Sequence, residues 1–223
     1  MIIVIDGLSG SGKSSTAKAV AERIGINYLD SGALYRVATW IWLENGETEE
    51  AFLDNLSSND IRFRYEDREF HVSVNGRDIT GLIRSERVSA AVSTVAANPE
   101  VRAFVNAMMR QAVQEGVWIA DGRDLGTAVF PNAELKFFMK ASIDVRARRR
   151  YEELLQQGEM ADFNSVKQNL AERDRKDMSR KADPLKKPED AIEIDTSSKT
   201  FDDQVNEICI IISKRLNRDI STT

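Results

Sequence analysis

The sequence contains little cysteine and histidine, and it has no long apolar run. The single cysteine, Cys209, excludes a disulfide framework and fits a reducing compartment. The single histidine, His71, argues against a histidine metal site or a histidine base. A membrane span would need about 18 consecutive apolar residues, and the chain has no such run. The first six residues predict a buried strand and not a signal peptide, so we expect a cytoplasmic protein.

Charge is distributed unevenly along the 223 residues. The formal net charge of −5 argues against nucleic acid as a partner of the whole protein. Residues 140–187, however, contain 13 Lys and Arg against 9 Asp and Glu, so this segment is basic on an otherwise acidic chain. Two interpretations stay open at this stage: a local anion-binding site, or a solvated helical surface of mixed charge.

Short apolar runs alternate with segments of helical spacing over most of the chain. Strands are predicted at residues 2–5, 27–29, 117–120, 135–139 and 191–194. Helices are predicted at residues 14–24, 32–43, 99–114, 143–155, 166–176 and 201–216. Such alternation is typical of an α/β protein with a parallel sheet and helices on both of its faces.

One stretch between the second and third of these strands has a different period. Residues 61–65 and 70–74 alternate between apolar and polar side chains, and Asn75-Gly76 follows. This pattern predicts an antiparallel hairpin. We therefore expect residues 57–87 to form a small inserted β subdomain that carries His71 on a surface strand, with residues 1–56 and 88–223 as the core.

The first predicted strand runs directly into a phosphate-binding motif of the form G-x-x-x-x-G-K-[ST], which opens the first helix. Glycines allow the loop to point its N–H groups inward, and the helix N-terminus adds partial positive charge. Lys13 can reach the outer phosphates of a nucleotide, and the Ser14 hydroxyl can coordinate Mg²⁺. The nucleotide-binding residues predicted here are Gly7, Leu8, Ser9, Gly10, Ser11, Gly12, Lys13, Ser14 and Ser15.

Asp121 ends the third predicted strand and resembles a Walker B acid. Because the carboxyl ends of neighbouring parallel strands share one edge of the sheet, we expect Asp121 to lie near the phosphates and to join Ser14 as a Mg²⁺ ligand. An acid in a turn after any strand would look the same in the sequence.

A phosphate loop alone is compatible with three classes of protein. A GTPase switch would need the guanine-binding string N-K-x-D, which does not occur. ATPase modules that bind protein or nucleic acid are usually larger. A small kinase needs arginines around two phosphate groups, and this chain supplies them.

Two further motifs follow the second and third predicted strands: D-S-G-A-L-Y-R at residues 30–36 and D-G-R-D-L-G-T at residues 121–127. Together with the phosphate loop, with S-T-V-A-A at residues 93–97 followed by Pro99 and Arg102, and with E-R-D at residues 172–174, they resemble the bacterial cytidylate kinases. The resemblance covers nearly the whole chain. It implies a five-stranded parallel core, a monophosphate-binding insert and a short lid near residues 146–160. It also implies transfer of phosphate from ATP, with Mg²⁺, to CMP and dCMP.

Position by position, the resemblance implies a set of CMP-binding residues. They are Ser31, Tyr35, Arg36, Ser93, Arg102, Asp121, Gly122, Arg123, Asp124, Arg173, Asp177 and Arg180. Arg36, Arg123 and Arg180 would contact the CMP phosphate, Arg173 and Asp177 the ribose, and Ser93, Arg102 and Asp124 the base. Leu8 and Ala128 depart from the usual residues of the family, and the phosphate loop tolerates Leu8 because it binds through its backbone.

Arg146 and Arg150 lie four residues apart on one side of a predicted helix, next to a segment rich in Gln and Gly. We expect them to act as catalytic lid arginines over the γ-phosphate, beside Lys13, Arg36, Arg123 and Arg180. A basic stripe paired with acids such as Glu153 is the alternative. We expect a monomer that binds only small-molecule substrates. The competing functions are a kinase of UMP, AMP or shikimate, and a non-catalytic nucleotide-binding switch.

Overall fold

The computed structural model of the chain describes residues 1–45, 49–66 and 69–216. Its strands are β1 (Ile2–Gly7), β2 (Asn27–Asp30), β3 (Ile61–Glu66), β4 (Glu69–Val74), β5 (Arg77–Asp78), β6 (Trp118–Gly122), β7 (Leu135–Lys140) and β8 (Ile192–Asp195). Its helices are α1 (Lys13–Ile24), α2 (Ser31–Asn45), α3 (Glu49–Ser58), α4 (Glu86–Val95), α5 (Pro99–Ala112), α6 (Ile143–Gln156), α7 (Phe163–Ser179) and α8 (Phe201–Leu216). A 3₁₀ turn covers Leu82–Arg84, and a π-helical turn covers Leu125–Val129.

Five strands form one parallel sheet in the order β2-β6-β1-β7-β8, which confirms the predicted sheet. β1 lies in the middle, between β6 and β7. The loop that follows β1 therefore leaves the sheet where the chain crosses from one side of β1 to the other. In open parallel sheets this crevice at the carboxyl ends of the strands is where ligands bind.

Helices cover both faces of the sheet, as predicted. Alternate residues of β1 point to opposite faces. Ile3 and Ile5 belong to a core cluster that includes buried residues of α1 and α8. Val4 belongs to a second cluster that includes residues of α2, α5 and the inserted strand β4. The apolar side chains of β1 thus contact helices on both faces of the sheet, which explains why the whole strand is apolar.

The six predicted helices are present, and the structure adds two that the periodicity did not predict, α3 and α4. Each is ten residues long and buries only a few apolar side chains, such as Phe52 and Leu56 in α3. So few apolar positions over ten residues are hard to distinguish from a loop in the sequence. Within the described ranges, no helix combines the length and the apolar character that crossing a bilayer requires.

The inserted segment forms a three-stranded antiparallel sheet in the order β3-β4-β5. The predicted hairpin of β3 and β4 is confirmed, with Ile61 paired to Val74, while its tip at residues 67–68 lies outside the described residues. Asn75 and Gly76 have positive φ angles of 52° and 78° and join β4 to the very short β5, which the sequence did not predict. His71 lies half-buried in β4, opposite Arg64.

A buried carboxylate connects the end of β1 to the segment after β6. Asp6 is completely buried and accepts hydrogen bonds from the backbone N–H groups of Leu125 (2.9 Å) and Gly126 (2.7 Å). Burial raises the pKa of Asp6 from its ordinary 3.8 to about 6, although these two hydrogen bonds oppose the shift. Asp6 therefore fixes the residues that directly follow Asp124.

Replacing Asp6 with Asn should change how stability depends on pH. Because its pKa is about 6 in the fold and 3.8 otherwise, the folded chain binds this proton more tightly than the unfolded chain. The stabilising contribution of Asp6 is fully present below about pH 4 and is lost as the pH rises through about 6, a change of roughly 3 kcal/mol. Urea titrations at several pH values measure this effect. Between about pH 4 and pH 7, the free energy of unfolding of the wild type should fall by roughly 3 kcal/mol relative to that of Asp6→Asn.

Asp190→Asn is the matched control, because a hydrogen bond from Lys136 lowers the pKa of the exposed Asp190. Its difference from the wild type should change with pH in the opposite direction. A difference between the wild type and Asp6→Asn that is constant from about pH 4 to pH 7 would contradict the prediction.

Candidate active site

The phosphate loop connects β1 to α1 in a geometry that its glycines permit. A Cβ atom on Gly7 would lie 2.1 Å from the carbonyl oxygen of Met139 in β7, so only glycine fits there. Gly12 has a φ of 87°, in the left-handed region, and immediately precedes α1. Ser15 Oγ donates to the Gly12 carbonyl (3.0 Å). The loop thus places the positive end of α1 and its free N–H groups at the crevice.

Lys13 lies on the wall of the cavity at the start of α1, with only 5% of its surface exposed. Its Nζ donates to the Leu8 carbonyl at 3.3 Å. Burial, together with the neighbouring Arg123 guanidinium, lowers the pKa of Lys13 from its ordinary 10.5 to about 7. A group that is partly neutral in the free protein regains its full charge when anionic phosphates bind beside it.

Ser14 and Asp121 meet as the sequence predicts for a magnesium site. Ser14 Oγ donates to one carboxylate oxygen of Asp121 (2.5 Å), and the phenol of Tyr28 donates to the other (2.7 Å). Asp30 of β2 lies beside Asp121 of β6 in the sheet register. Hydroxyl and carboxylate oxygens suit Mg²⁺, which in kinases is held by few protein groups together with substrate phosphates. Among the described residues, no group of three or more Asp, Glu, His or Cys side chains is arranged to hold a metal ion.

A cavity of about 260 Å³ opens beside Lys13 and Ser14. It brings together all but one of the predicted acceptor residues. Those that line it are Ser31, Tyr35, Arg36, Ser93, Asp121, Gly122, Arg123, Asp124, Arg173, Asp177 and Arg180. They come from distant parts of the chain: α2 and the segment after β6 begin at the cavity, and α4 and α7 end there. The exception, Arg102, lies behind the wall and is 1% exposed.

Arg102 forms part of a buried ionic network at the back of the cavity. Its Nη2 donates to one oxygen of Asp124, and Arg180 Nη2 donates to the other (3.3 Å). Its Nη1 donates to the Ala96 carbonyl (3.2 Å), and its guanidinium lies 5.4 Å from the centre of the Tyr35 ring. Burial raises the pKa of Asp124, while Arg102 and Arg180 oppose that shift. Two of the three residues expected to contact a base, Arg102 and Asp124, thus pair with each other in this structure.

Two further arginines of the cavity, Arg123 and Arg36, are held by neighbouring polar groups. Arg123 Nε donates to Asp177 (2.9 Å), and its Nη2 donates to Ser9 Oγ in the phosphate loop (3.0 Å). Arg36 Nη1 donates to Ser89 Oγ (2.8 Å) in α4. Arg123 therefore lies between the phosphate loop and the predicted acceptor residues.

Arg146 does not have the position expected of a lid arginine. It is buried and donates to the carbonyl of Ser9 (2.8 Å) and to Asp174 (2.5 Å), while Asp174 also accepts the N–H of Ser9 (2.9 Å). Its donors are used in holding the phosphate loop, so it lies beneath the loop and not over a phosphate. Arg150 is exposed and pairs with Glu153 (2.8 Å), as in the alternative interpretation. Neither arginine lines the cavity.

The sequence reasoning missed several residues around the cavity. Arg84 lines the cavity from the insert, with its Nη2 3.4 Å from Asp30, and Asp30 also accepts the N–H of Ala33 at the start of α2 (2.9 Å). Asp30 opens one of the recognised motifs, so its position there was a usable signal. Nothing in the sequence indicates that Asp183 contacts Arg102, a residue 81 positions away.

Comparisons with known proteins identify the family of the chain. The family model described as cytidylate kinase matches residues 3–214. A cytidylate kinase of Geobacillus sp. (strain WCH70) is 42% identical over 217 residues, covering 96% of this chain and 97% of that protein. A cytidylate kinase of Streptococcus thermophilus (strain CNRZ 1066) is 48% identical over 210 residues, covering 92% and 93% of the two chains. The chain belongs to the cytidylate kinase family.

Proposed function

We propose that the protein transfers the γ-phosphoryl group of ATP to CMP and dCMP, giving ADP and the corresponding diphosphate. The observation that carries the proposal is a single cavity with a phosphate loop on one side and converging arginines on the other. Membership of the cytidylate kinase family, and relatives named cytidylate kinase at 42–48% identity, favour CMP over UMP, AMP or shikimate as the acceptor. The monomeric state and the cytoplasmic location stay predictions.

ATP would bind through the phosphate loop. Backbone N–H groups of the loop and the N-terminus of α1 would hold its phosphates, and Lys13 would neutralise the charge that develops during transfer. Ser14 and Asp121, already joined by a hydrogen bond, would hold Mg²⁺, which would neutralise part of the phosphate charge.

CMP would bind on the opposite side, with its phosphate among Arg36, Arg123 and Arg180. Arginine pairs with phosphate oxygens through two parallel charge-assisted hydrogen bonds. The attacking oxygen belongs to a phosphate whose second pKa is about 6, so it is mostly ionised at neutral pH and needs no general base. Catalysis would rest on alignment and on neutralising two anions that otherwise repel each other.

Asp124 and Arg102 would select the base. A carboxylate only accepts hydrogen bonds, which suits the exocyclic amine of cytosine, and a guanidinium only donates, which suits its ring nitrogen and carbonyl. In the present structure each of the two partly satisfies the other. The base would therefore add hydrogen bonds to two charged groups that are already paired with each other.

The test is an ADP-release assay across CMP, dCMP, UMP, AMP, GMP and shikimate. We expect the highest kcat/KM for CMP, with dCMP next and the others far lower. Equal or better use of UMP, AMP or shikimate would overturn the proposed substrate. Nucleotide binding without turnover of any acceptor would favour a non-catalytic switch.

Arg36→Ala should impair the use of CMP more than the binding of ATP. Arg36 lines the cavity from α2. Its hydrogen bonds to Ser89 Oγ (2.8 Å) and to the Ile83 carbonyl (3.3 Å) both use Nη1, so Nε and Nη2 can reach a phosphate. Loss of one charge-assisted hydrogen bond, worth about 1.5 kcal/mol, should lower kcat/KM for CMP roughly tenfold. Steady-state kinetics and titration with a fluorescent ATP analogue measure the two effects separately.

Arg148→Ala on α6 is the control, because Arg148 is exposed and does not line the cavity. It should leave both measurements unchanged. If ATP affinity collapses in Arg36→Ala while the dependence on CMP stays as in the wild type, Arg36 acts on the donor side.

A further inference from the structure

The segment between α7 and β8 folds back over the end of α7 and reaches α5. Leu185 is buried, and its N–H donates to the carbonyl of Asp177 (2.9 Å). Two residues earlier, Asp183 Oδ2 accepts a hydrogen bond from Arg102 Nε (2.8 Å). The connecting segment therefore contributes a charged group to the network at the back of the cavity, although Asp183 does not line the cavity.

Asp183 adopts a backbone conformation that its contacts must stabilise. Its φ is 46°, in the left-handed region, and Pro184 follows, whereas a residue before proline prefers an extended conformation. Its carbonyl accepts a hydrogen bond from Arg180 Nη2 (2.7 Å), while its carboxylate accepts one from Arg102. One strained residue thus holds both of the arginines that also donate to Asp124.

Each nitrogen of the Arg102 guanidinium donates to a different acceptor. Nε faces Asp183, Nη1 donates to the Ala96 carbonyl, and Nη2 donates to Asp124. Two carboxylates therefore share one buried guanidinium. Without Asp183, Asp124 would be the only carboxylate beside Arg102, and the Nε proton would be left without an acceptor in a buried position. Asp183 thereby supports the guanidinium from the side opposite Asp124.

We propose that Asp183 is a positioning residue for the acceptor base. It holds the Arg102 guanidinium through Nε and thereby fixes the orientation of the Nη groups and of the Asp124 carboxylate that pairs with Nη2. This inference rests on the proposed function, since it assumes that CMP binds between Asp124 and Arg102. It assigns a substrate-positioning role to the segment after α7, outside the recognised motifs.

Three substitutions test the role. Asp183→Gly removes the carboxylate and suits the positive φ, so the variant should fold and melt within a few degrees of the wild type. Its CMP affinity should fall about tenfold, while its ADP affinity should stay within twofold. Asp183→Ala should lose CMP affinity similarly and should also melt earlier because it keeps the strain. Asp183→Asn retains an oxygen acceptor and tolerates this conformation, so it should restore most of the CMP affinity.

Calorimetric titrations with CMP and with ADP measure the two affinities independently of turnover. Steady-state kinetics then give kcat/KM for CMP and for UMP. Asp190→Asn is the control on the same segment, because Asp190 is exposed, pairs with Lys136 and does not line the cavity. A glycine variant that binds CMP like the wild type overturns the proposal. So does an Asn variant as weak as Gly, or an equal loss of ADP and CMP affinity, since these outcomes indicate a purely structural role.

The two proposals fail in different ways. A wild-type protein that binds CMP but does not phosphorylate it would overturn the proposed function and leave the Asp183 series interpretable. A wild type that phosphorylates CMP, with Asp183 variants that all behave like it, would overturn only the positioning role. A wild type that does not bind CMP would overturn both.

Discussion

Lys13→Ala should lower kcat by about 10²–10³-fold and leave a folded protein. In the proposed function Lys13 neutralises the donor phosphates, and it is buried, where charge is poorly screened. Deleting one preorganised group of this kind typically costs about 2.7–4 kcal/mol of transition-state stabilisation. The loss should appear in kcat as well as in kcat/KM, because the charge on the transferred group changes during the reaction.

The same variant should not be less stable than the wild type. Burial lowers the pKa of Lys13 to about 7, which means that the fold disfavours its charged form when no anion is bound. Its hydrogen bond to the Leu8 carbonyl is long, at 3.3 Å, and its side chain lines a cavity, so alanine opens no new void in an apolar core. The melting temperature of the nucleotide-free protein should therefore stay the same or rise.

Lys18→Ala provides the matched control, because Lys18 is a half-buried lysine on the same helix that does not line the cavity. It should retain wild-type kcat. Melting temperature and kcat must be measured on the same preparations of all three proteins. Activity of Lys13→Ala within a few-fold of the wild type would remove Lys13 from the catalytic step.

The sheet and the phosphate loop could be predicted because their signals are local. A buried parallel strand such as β1 is a continuous apolar run, and the loop motif follows it without a break. Some residues of the cavity end a strand or follow directly from one at the same sheet edge, as Asp121, Ser31 and Arg123 do. Ser93 on α4, and Arg173, Asp177 and Arg180 on or after α7, were named only through the family resemblance. Position along the chain therefore implied position in space for residues such as Asp121 and Arg123.

Arg146 shows where that reasoning stops. Its spacing from Arg150 on α6 suggested one exposed basic surface, yet Arg146 turns inward to Asp174 on α7. The packing of α6 against α7 decides which face of α6 is buried, and no local pattern reports it. The contact of Asp183 with Arg102 is of the same kind, since it joins segments 81 residues apart through a backbone conformation that only the fold stabilises.

Asp124→Asn should lose about a hundredfold in kcat/KM for CMP and narrow the ratio of CMP to UMP use by roughly tenfold, about 1.4 kcal/mol. Asp124 is 4% exposed and can only accept hydrogen bonds, so in the proposed complex it suits the amine of cytosine and repels the oxygen that uracil has at that position. The amide of Asn adds a donor that can meet this oxygen. It also removes the charge that Arg102 and Arg180 share, which accounts for the general loss.

The ratio separates base selection from damage to the network, because CMP and UMP are compared on the same folded variant. Asp177→Asn is the matched control: Asp177 lines the same cavity and accepts from Arg123, but the family resemblance assigns it to the ribose. It should lower kcat/KM for both substrates and leave their ratio unchanged. If Asp124→Asn behaves in the same way, with reduced activity and an unaltered ratio, then Asp124 only holds the two arginines, and the base must be selected by Ser93 or by the inserted sheet.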